Sequence, residues 1–200
     1  MALSVNIDTT NSLVGDDLDL VKAYLNEEDE TGFNNILNFY VNAASQYCNQ
    51  YTDRLLRARE LTEYYDGKGQ NIIMLNNYPV QNITAVYDDP GRVWDADTEI
   101  LTDNLVIRPD KLKYMIVYDN GRFLDGRGNV KVIYNAGYSG DSIPDDLKMA
   151  CLGIIGTMWY SSQEKRLGTK SKSLGEGTIS YETDFPKWIM KILEKYRKKW

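Results

Sequence analysis

Val130-Lys131-Val132-Ile133-Tyr134-Asn135-Ala136-Gly137-Tyr138-Ser139-Gly140-Asp141-Ser142-Ile143-Pro144-Asp145-Asp146-Leu147-Lys148-Met149-Ala150-Cys151 contains both of the periods from which this chain is built. Residues 130–134 are β-branched and aromatic and read as a strand. Pro144 then fits the first position of a helix, with Asp145 and Asp146 in the first turn, where the dipole favours carboxylates. Beyond it Leu147, Ala150, Cys151, Ile154 and Met158 share one face, and Gly153, Gly156 and Tyr160 another. A helix that is apolar nearly all round is buried on both sides, at the centre of a bundle or partly in a subunit interface. Its two glycines would let another backbone approach closely.

Upstream of this junction the period is again helical, then extended. Residues 16–25 read as a short helix with Leu18, Val21 and Leu25 on one face and aspartates at its start. Asn26-Glu27-Glu28-Asp29-Glu30-Thr31-Gly32 reads as an acidic turn. Phe33, Ile36, Leu37, Tyr40, Val41, Ala44, Tyr47, Cys48 and Tyr51 keep a strict 3–4 spacing, the strongest helical signal in the chain. From about Leu61 short β-rich runs follow at 72–75, 83–87, 114–118 and 130–134. Turn chemistry separates them: Asp66-Gly67-Lys68-Gly69, Asn76-Asn77, Asp89-Pro90-Gly91, Asp119-Asn120-Gly121 and Asp125-Gly126-Arg127-Gly128. Asp119-Asn120-Gly121 reads as a hairpin turn, and Gly67-Lys68-Gly69 and Gly126-Arg127-Gly128 as hairpin tips.

Downstream, Ser161–Tyr181 reads as a long polar loop with three glycines and five serines; loops of that length are commonly functional or disordered. A final helix opens at Asp184-Phe185-Pro186, with Ile189, Ile192, Leu193 and Tyr196 on its apolar face and Lys187, Lys191, Lys195 and Lys198 as a separate stripe. The expected fold is α+β: a small helical bundle (about four helices) with an inserted antiparallel β unit. Residues 1–60 supply its N-terminal helices, 61–138 the β unit, and 139–200 the C-terminal helices with a polar loop at 161–181.

Several function classes are removed by composition. The chain of 200 residues has 15 tyrosines and no histidine, which excludes Ser-His-Asp and Cys-His systems and most zinc sites. Cys48 and Cys151 have no zinc spacing and are expected to be buried, reduced thiols on helices, consistent with a reducing compartment. The longest nearly apolar stretch, 150–160, is far short of the ~20 residues of a membrane helix. Met1-Ala2-Leu3-Ser4-Val5-Asn6 has neither basic nor apolar signal regions, so no cleaved secretory signal is expected. Gly168-Thr169-Lys170-Ser171 has its lysine displaced from a phosphate loop and no strand before it. The run from Glu27 to Glu30 lacks the spaced ligands and glycine of a calcium loop. No carboxylate pair stands out for hydrolysis, and no metal or cofactor is expected.

Charge is unevenly placed. Residues 1–150 carry 13 basic and 24 acidic side chains, and residues 151–200 carry 10 and 5. An acidic body with a basic end is a partner signal. Trp188 and Trp200 flank the lysine stripe, an interleaving that fits nucleic acid or an acidic protein surface.

Five features together resemble the tailed-bacteriophage head–tail connector family, the head-completion or adaptor proteins. They are Leu18-Asp19-Leu20-Val21-Lys22-Ala23-Tyr24-Leu25 with its acidic turn; Ala43-Ala44-Ser45-Gln46-Tyr47-Cys48-Asn49-Gln50-Tyr51-Thr52; Asn77-Tyr78-Pro79-Val80-Gln81-Asn82-Ile83; Tyr134-Asn135-Ala136-Gly137-Tyr138 followed by Pro144-Asp145-Asp146-Leu147-Lys148-Met149-Ala150; and the Ser/Gly-rich stretch before a Pro-started basic helix. The β unit departs in size from the family's shorter, mainly helical members.

The resemblance implies a structural virion protein, not an enzyme. It implies a homo-oligomeric ring under the portal, matching the portal's twelvefold symmetry, with heterologous interfaces that close by rotation. The ring would extend the DNA channel, pass packaged DNA without sequence-specific binding and offer a docking surface to the next tail or neck component. Its place would be the virion neck, with host cytoplasm during assembly and no membrane. On this reading Lys187, Trp188, Lys191, Lys195, Arg197, Lys198, Lys199 and Trp200 are candidate portal-docking residues. Lys165, Arg166, Lys170 and Lys172 belong to a loop facing the lumen or a neighbouring subunit. Two other classes stay open on the residues alone: a nucleic-acid-binding module using the basic C-terminal helix, and a carbohydrate-binding or hydrolytic β unit with clustered tyrosines.

Overall fold

The structure is a computed structural model that describes residues 12–14, 18–27, 34–110, 113–163, 171–174, 177–180 and 185–198. It divides into two compact units: a helical unit from residues 1–53 and 140–198, and a β unit from residues 54–139. The architecture is α+β, with four α-helices and antiparallel sheets among the described residues.

In the helical unit, α1 (Asp19–Leu25) buries Val21 and Leu25 and ends at Asn26, whose left-handed backbone (φ 61°) lets its N–H reach the Ala23 carbonyl. α2 (Asn34–Thr52) buries Leu37, Val41, Ala44 and Cys48, the 3–4 stripe expected of it. α3 (Asp145–Gln163) packs against α1, α2 and α4 (Lys187–Tyr196). Its buried set runs from Leu147 through Trp159 and covers most of its circumference, as its all-round apolar sequence requires. Pro144 sits one position earlier than expected: it precedes α3, and its carbonyl accepts the amides of Leu147 and Lys148. Cys48 and Cys151 are buried, unpaired thiols.

In the β unit, β1 (Arg59–Gly67), β3 (Val80–Asp88), β4 (Glu99–Ile100) and β7 (Gly126–Ala136) form one sheet in the order β1-β7-β3-β4. A second sheet has β2 (Ile72–Leu75), β6 (Lys113–Tyr118) and β5 (Leu105–Asp110) in the order β2-β6-β5. Their inward rows share one core, with Ile73, Leu75 and Ile116 from the smaller sheet and Val86, Val130, Val132 and Tyr134 from the larger.

Three turn readings are corrected. Asp119-Asn120-Gly121 does not close a hairpin, because β6 pairs with β2 and β5 while β7 pairs with β1 and β3. The connection is held to the smaller sheet by the amides of Tyr118, Asp119 and Phe123, which donate to the carbonyls of Asn71, Asn104 and Gln70. Gly67-Lys68-Gly69 and Gly126-Arg127-Gly128 are not tips of hairpins either: Gly67 and Gly126 face each other at the ends of β1 and β7, which are distant in sequence. In the β unit a tight hairpin instead joins β5 to β6, where Asp110 pairs with Lys113.

The polar-loop reading of 161–181 is likewise corrected in part. α3 continues to Gln163, and β8 (Ser171–Leu174) pairs antiparallel with β9 (Gly177–Ser180). Only two residues separate the strands, the first a glycine, the spacing of a tight hairpin.

Segments quoted for the family resemblance meet within the β unit. The Arg54 guanidinium lies 3.4 Å above the Tyr78 ring and donates to the Tyr78 carbonyl. The Leu55 amide donates to Asn77 Oδ1 at 3.0 Å, and the Gly137 amide to the Pro79 carbonyl at 2.9 Å. Gly137 has φ +110°, and a Cβ there would lie 2.6 Å from the Arg57 backbone, so only glycine fits this crossing.

Candidate docking surface

α4 is strongly two-sided. Ile189 and Leu193 are buried against α3, while Lys187, Trp188, Lys191 and Lys195 are exposed. The lysine stripe does not act as one unit. Lys195 Nζ lies 3.3 Å from Asp146 Oδ2 at the start of α3, and the Tyr196 hydroxyl donates to Asp146 Oδ1. Burial pushes the Asp146 carboxyl up, but the bonds from Tyr196 and Lys195 outweigh it and hold the group below its ordinary range. Arg197 pairs with Glu194 at 3.7 Å and stands over the Tyr51 ring at 5.9 Å. The Tyr51 hydroxyl donates to the same Glu194 at 3.1 Å, and the Lys198 amide donates to the Thr52 carbonyl at 2.8 Å. Lys195, Arg197 and Lys198 thus tie α4 and its end to α2 and α3.

Lys187 and Lys191, one turn apart, form no ion pair with another described residue. With Trp188, 40 % exposed, they are the outward-facing part of the expected docking set. Lys199 and Trp200 lie outside the described residues, as do Lys165, Arg166 and Lys170; Lys172 lies in β8 opposite Ile179.

A feature that the lysine spacing does not reveal is the surface beside α4. Gly153 and Gly156 are approached by aromatic side chains rather than by another backbone. A Cβ on Gly153 would lie 2.7 Å from the Trp188 ring, and one on Gly156 would lie 3.1 Å from the Tyr24 ring. Tyr24, Trp188, Tyr160 and Pro186 enclose a groove of about 370 Å³ over these glycines, between α1, α3 and α4. The glycine spacing was the one signal of it in the sequence.

Of the tyrosines of the β unit, Tyr65 and Tyr134 gather inward around Glu63, whereas Tyr64 is exposed and stands against Trp94. Glu63 Oε2 accepts the hydroxyls of Tyr65 and, at 2.8 Å, Tyr134, and its Oε1 accepts Asn77 Nδ2 at 3.1 Å. Burial pushes both hydroxyls above the ordinary tyrosine value, Glu63 adding to it. Tyr134 is fully buried. These groups join β1, β7 and the segment after β2, and the carboxylate's acceptors are engaged within the fold. Among the described residues no cluster of metal-binding side chains occurs, and no helix is long and apolar enough to cross a membrane.

Comparison with known proteins adds to this geometry. No curated protein matches the chain. Solved structures do. A chain from the neck of an empty gene transfer agent particle, computed with C6 symmetry, superposes with a TM-score of 0.62 at 18 % identity, covering 96 % of this chain and 92 % of that one. One from the neck of the native particle, computed with C12 symmetry, gives 0.59 at 18 % identity over 100 % and 96 %. One from the virion of the native particle gives 0.58 at 18 % identity over 90 % and 89 %. The model of the head completion protein family matches residues 17–199, both units included, and this chain belongs to that family.

Proposed function

We propose that this protein is a structural head–tail connector that assembles as a ring beneath the portal and, through α4, docks on it. The observation that carries the reading is the outward row Lys187, Trp188 and Lys191 on a helix whose other basic residues are engaged internally. An aromatic flanked by lysines that form no ion pair among the described residues has the composition of an interface anchor for an acidic partner. Family membership and the likeness to neck chains of a particle reconstructed with sixfold and twelvefold symmetry support the ring and a copy number of twelve.

In this role the acidic body suits a channel wall: DNA binding is driven by basic groups that release counterions, and residues 1–150 carry an excess of carboxylates. The ring extends the channel, lets DNA slide and presents a surface to the next neck or tail component. On the portal side the outward contact is made by Lys187, Trp188 and Lys191, joined by Lys199 and Trp200, while Lys195, Arg197 and Lys198 hold α4 to α2 and α3 behind it. The segment with Lys165, Arg166, Lys170 and Lys172 faces the lumen or a neighbouring subunit. The protein acts in the virion neck after assembly in the host cytoplasm. Two outward lysines one turn apart make a small footprint for a phosphate backbone, which leaves nucleic-acid binding the weaker reading.

The test is sedimentation with portal-bearing, DNA-filled capsids that lack this protein. Wild type is expected to pellet with them, and Lys187→Glu/Lys191→Glu to lose binding at least tenfold while staying folded. Equal binding by the double variant would refute α4 as the docking element.

A further inference from the structure

The chain has two cysteines, Cys48 on α2 and Cys151 on α3. These helices pack against each other within the helical unit. The Tyr40 ring meets the Trp159 ring edge-on at 6.3 Å, and Ser45 Oγ lies 3.7 Å from Cys151 Sγ. Later positions on α2 thus meet earlier positions on α3, and the pair is antiparallel. Cys48 lies eight residues beyond Tyr40, and Cys151 eight residues before Trp159. With the same rise of about 1.5 Å per residue on both helices, that register brings the cysteines to one level. Both are fully buried, and they interact directly. Hydrogen bonding with Cys151, together with burial, pushes the Cys48 thiol well above its ordinary value.

The position of the pair in the chain gives it a consequence. The helical unit is built from two stretches, residues 1–53 and 140–198, with the β unit between them in sequence. Cys48 lies near the end of the first stretch and Cys151 near the start of the second. The two stretches are joined covalently through the β unit and otherwise by packing. A bond between the two sulfurs would close a loop of about 100 residues around that insertion, a length at which a cross-link restricts the unfolded chain strongly.

We propose that Cys48 and Cys151 are a redox pair that locks α2 to α3 through a disulfide when the protein meets an oxidising small-molecule disulfide. The step is thiol–disulfide exchange. The thiolate of one cysteine attacks the small disulfide and expels one thiolate. The thiolate of the other cysteine then attacks the mixed disulfide and expels the second. The protein thiols lose two electrons and two protons, and the small disulfide takes up both as two thiols. Burial keeps the sulfurs out of reach in the closed bundle, so exchange proceeds through transient opening of α2 from α3. In a reducing cytosol the pair stays open; in oxidising surroundings, a virion surface among them, such bonds form and persist. The pair does not depend on the connector reading and would operate whatever α4 docks on.

The test is incubation of the full-length wild-type protein with excess oxidised glutathione, both in buffer and at the urea midpoint followed by refolding. Alkylation with N-ethylmaleimide in denaturant and intact mass then report the state of each cysteine. The expected product in at least one setting carries neither maleimide nor glutathione and is two hydrogens lighter than the reduced chain. Peptide mapping should join Cys48 to Cys151 within one chain. The thermal midpoint of this product should lie about 5–10 °C above that of the reduced protein and return on reduction. Cys48→Ser and Cys151→Ser should each stop at the glutathione adduct and show no such rise. Glutathione adducts alone, bonds between chains alone, or two maleimides on the wild type in both settings overturn the pair. An internal disulfide that leaves the thermal midpoint unmoved, or lowers it, overturns the lock.

Discussion

The helical unit buries small hydroxyls, whereas the β unit buries a guanidinium, a carboxylate and two amides. Among the described residues, Ser12, Ser45 and Thr52, with Asn38, are the buried polar side chains of the first, and Arg54, Asn77, Asp89 and Asn129 those of the second. Thr52 satisfies itself locally by donating to the Cys48 carbonyl at 2.8 Å. Asn129 instead accepts the Gly67 amide at 2.8 Å and donates to Asp88 and to the Leu124 carbonyl. The difference teaches that the helices rely mainly on volume, as where Gly153 admits Trp188, with Ser45 Oγ, which accepts the Leu13 amide at 3.1 Å, supplying a long-range bond among them. The sheets are specified by long-range hydrogen bonds that select one strand order among many.

The comparison can be broken at four places. The largest effect is expected at Asn129. Asn129→Leu strands the Gly67 amide, the Leu124 carbonyl and one Asp88 oxygen, and should cost about 3 kcal/mol, read as a shift of the urea midpoint. A cost below that of an ordinary surface change would remove the claim that hydrogen bonds order the β unit. Next is Gly153→Val, which drives atoms into the Trp188 and Ile189 side chains and should cost about 2 kcal/mol through overpacking. Gly69, with no atom within 4 Å of a built Cβ but φ +61°, is its control: Gly69→Ala should cost about 1 kcal/mol from backbone conformation alone.

Asp89 offers a smaller, pH-dependent effect. Its carboxylate accepts the amides of Gly91, Val93 and Trp94 at 2.7, 2.6 and 2.8 Å. The Trp94 amide foremost, against some burial, holds it below its ordinary value. A depressed folded value means stabilisation that is complete above the unfolded carboxyl value of about 3.9 and is lost as pH falls from there through the folded value. The Trp94 fluorescence, isolated by difference from Trp94→Phe, should therefore change below about pH 4, and the change should vanish in Asp89→Asn. The smallest effect is Lys195→Ala. Its pair with Asp146 is largely exposed, so the thermal midpoint should move by no more than about 0.5 kcal/mol allows.

The helices were legible because burial leaves a 3.6-residue imprint: Leu37, Val41, Ala44 and Cys48 could be read directly. So were the cores of four strands. Their partners were not, since alternation names a face and not a neighbour, and Asn120-Gly121 looks like a hairpin wherever it stands. β5 is not among the runs that the sequence marks as strands, because Pro109 cannot donate to a ladder; as an edge strand it tolerates the proline. For the docking surface the lysine stripe was visible, but its division was not, because Asp146 lies 49 residues from Lys195. The groove was half visible: Gly153 and Gly156 announced a close approach, but not that Trp188 and Tyr24 make it.

The connector role is tested most directly by imaging the vertex of portal-bearing, DNA-filled capsids after purified protein has been added. A closed ring of new density directly beneath the portal, with one α4 per subunit against it, is the predicted result. A demonstrably folded protein that leaves the vertex unchanged, or decorates the capsid elsewhere, would contradict it.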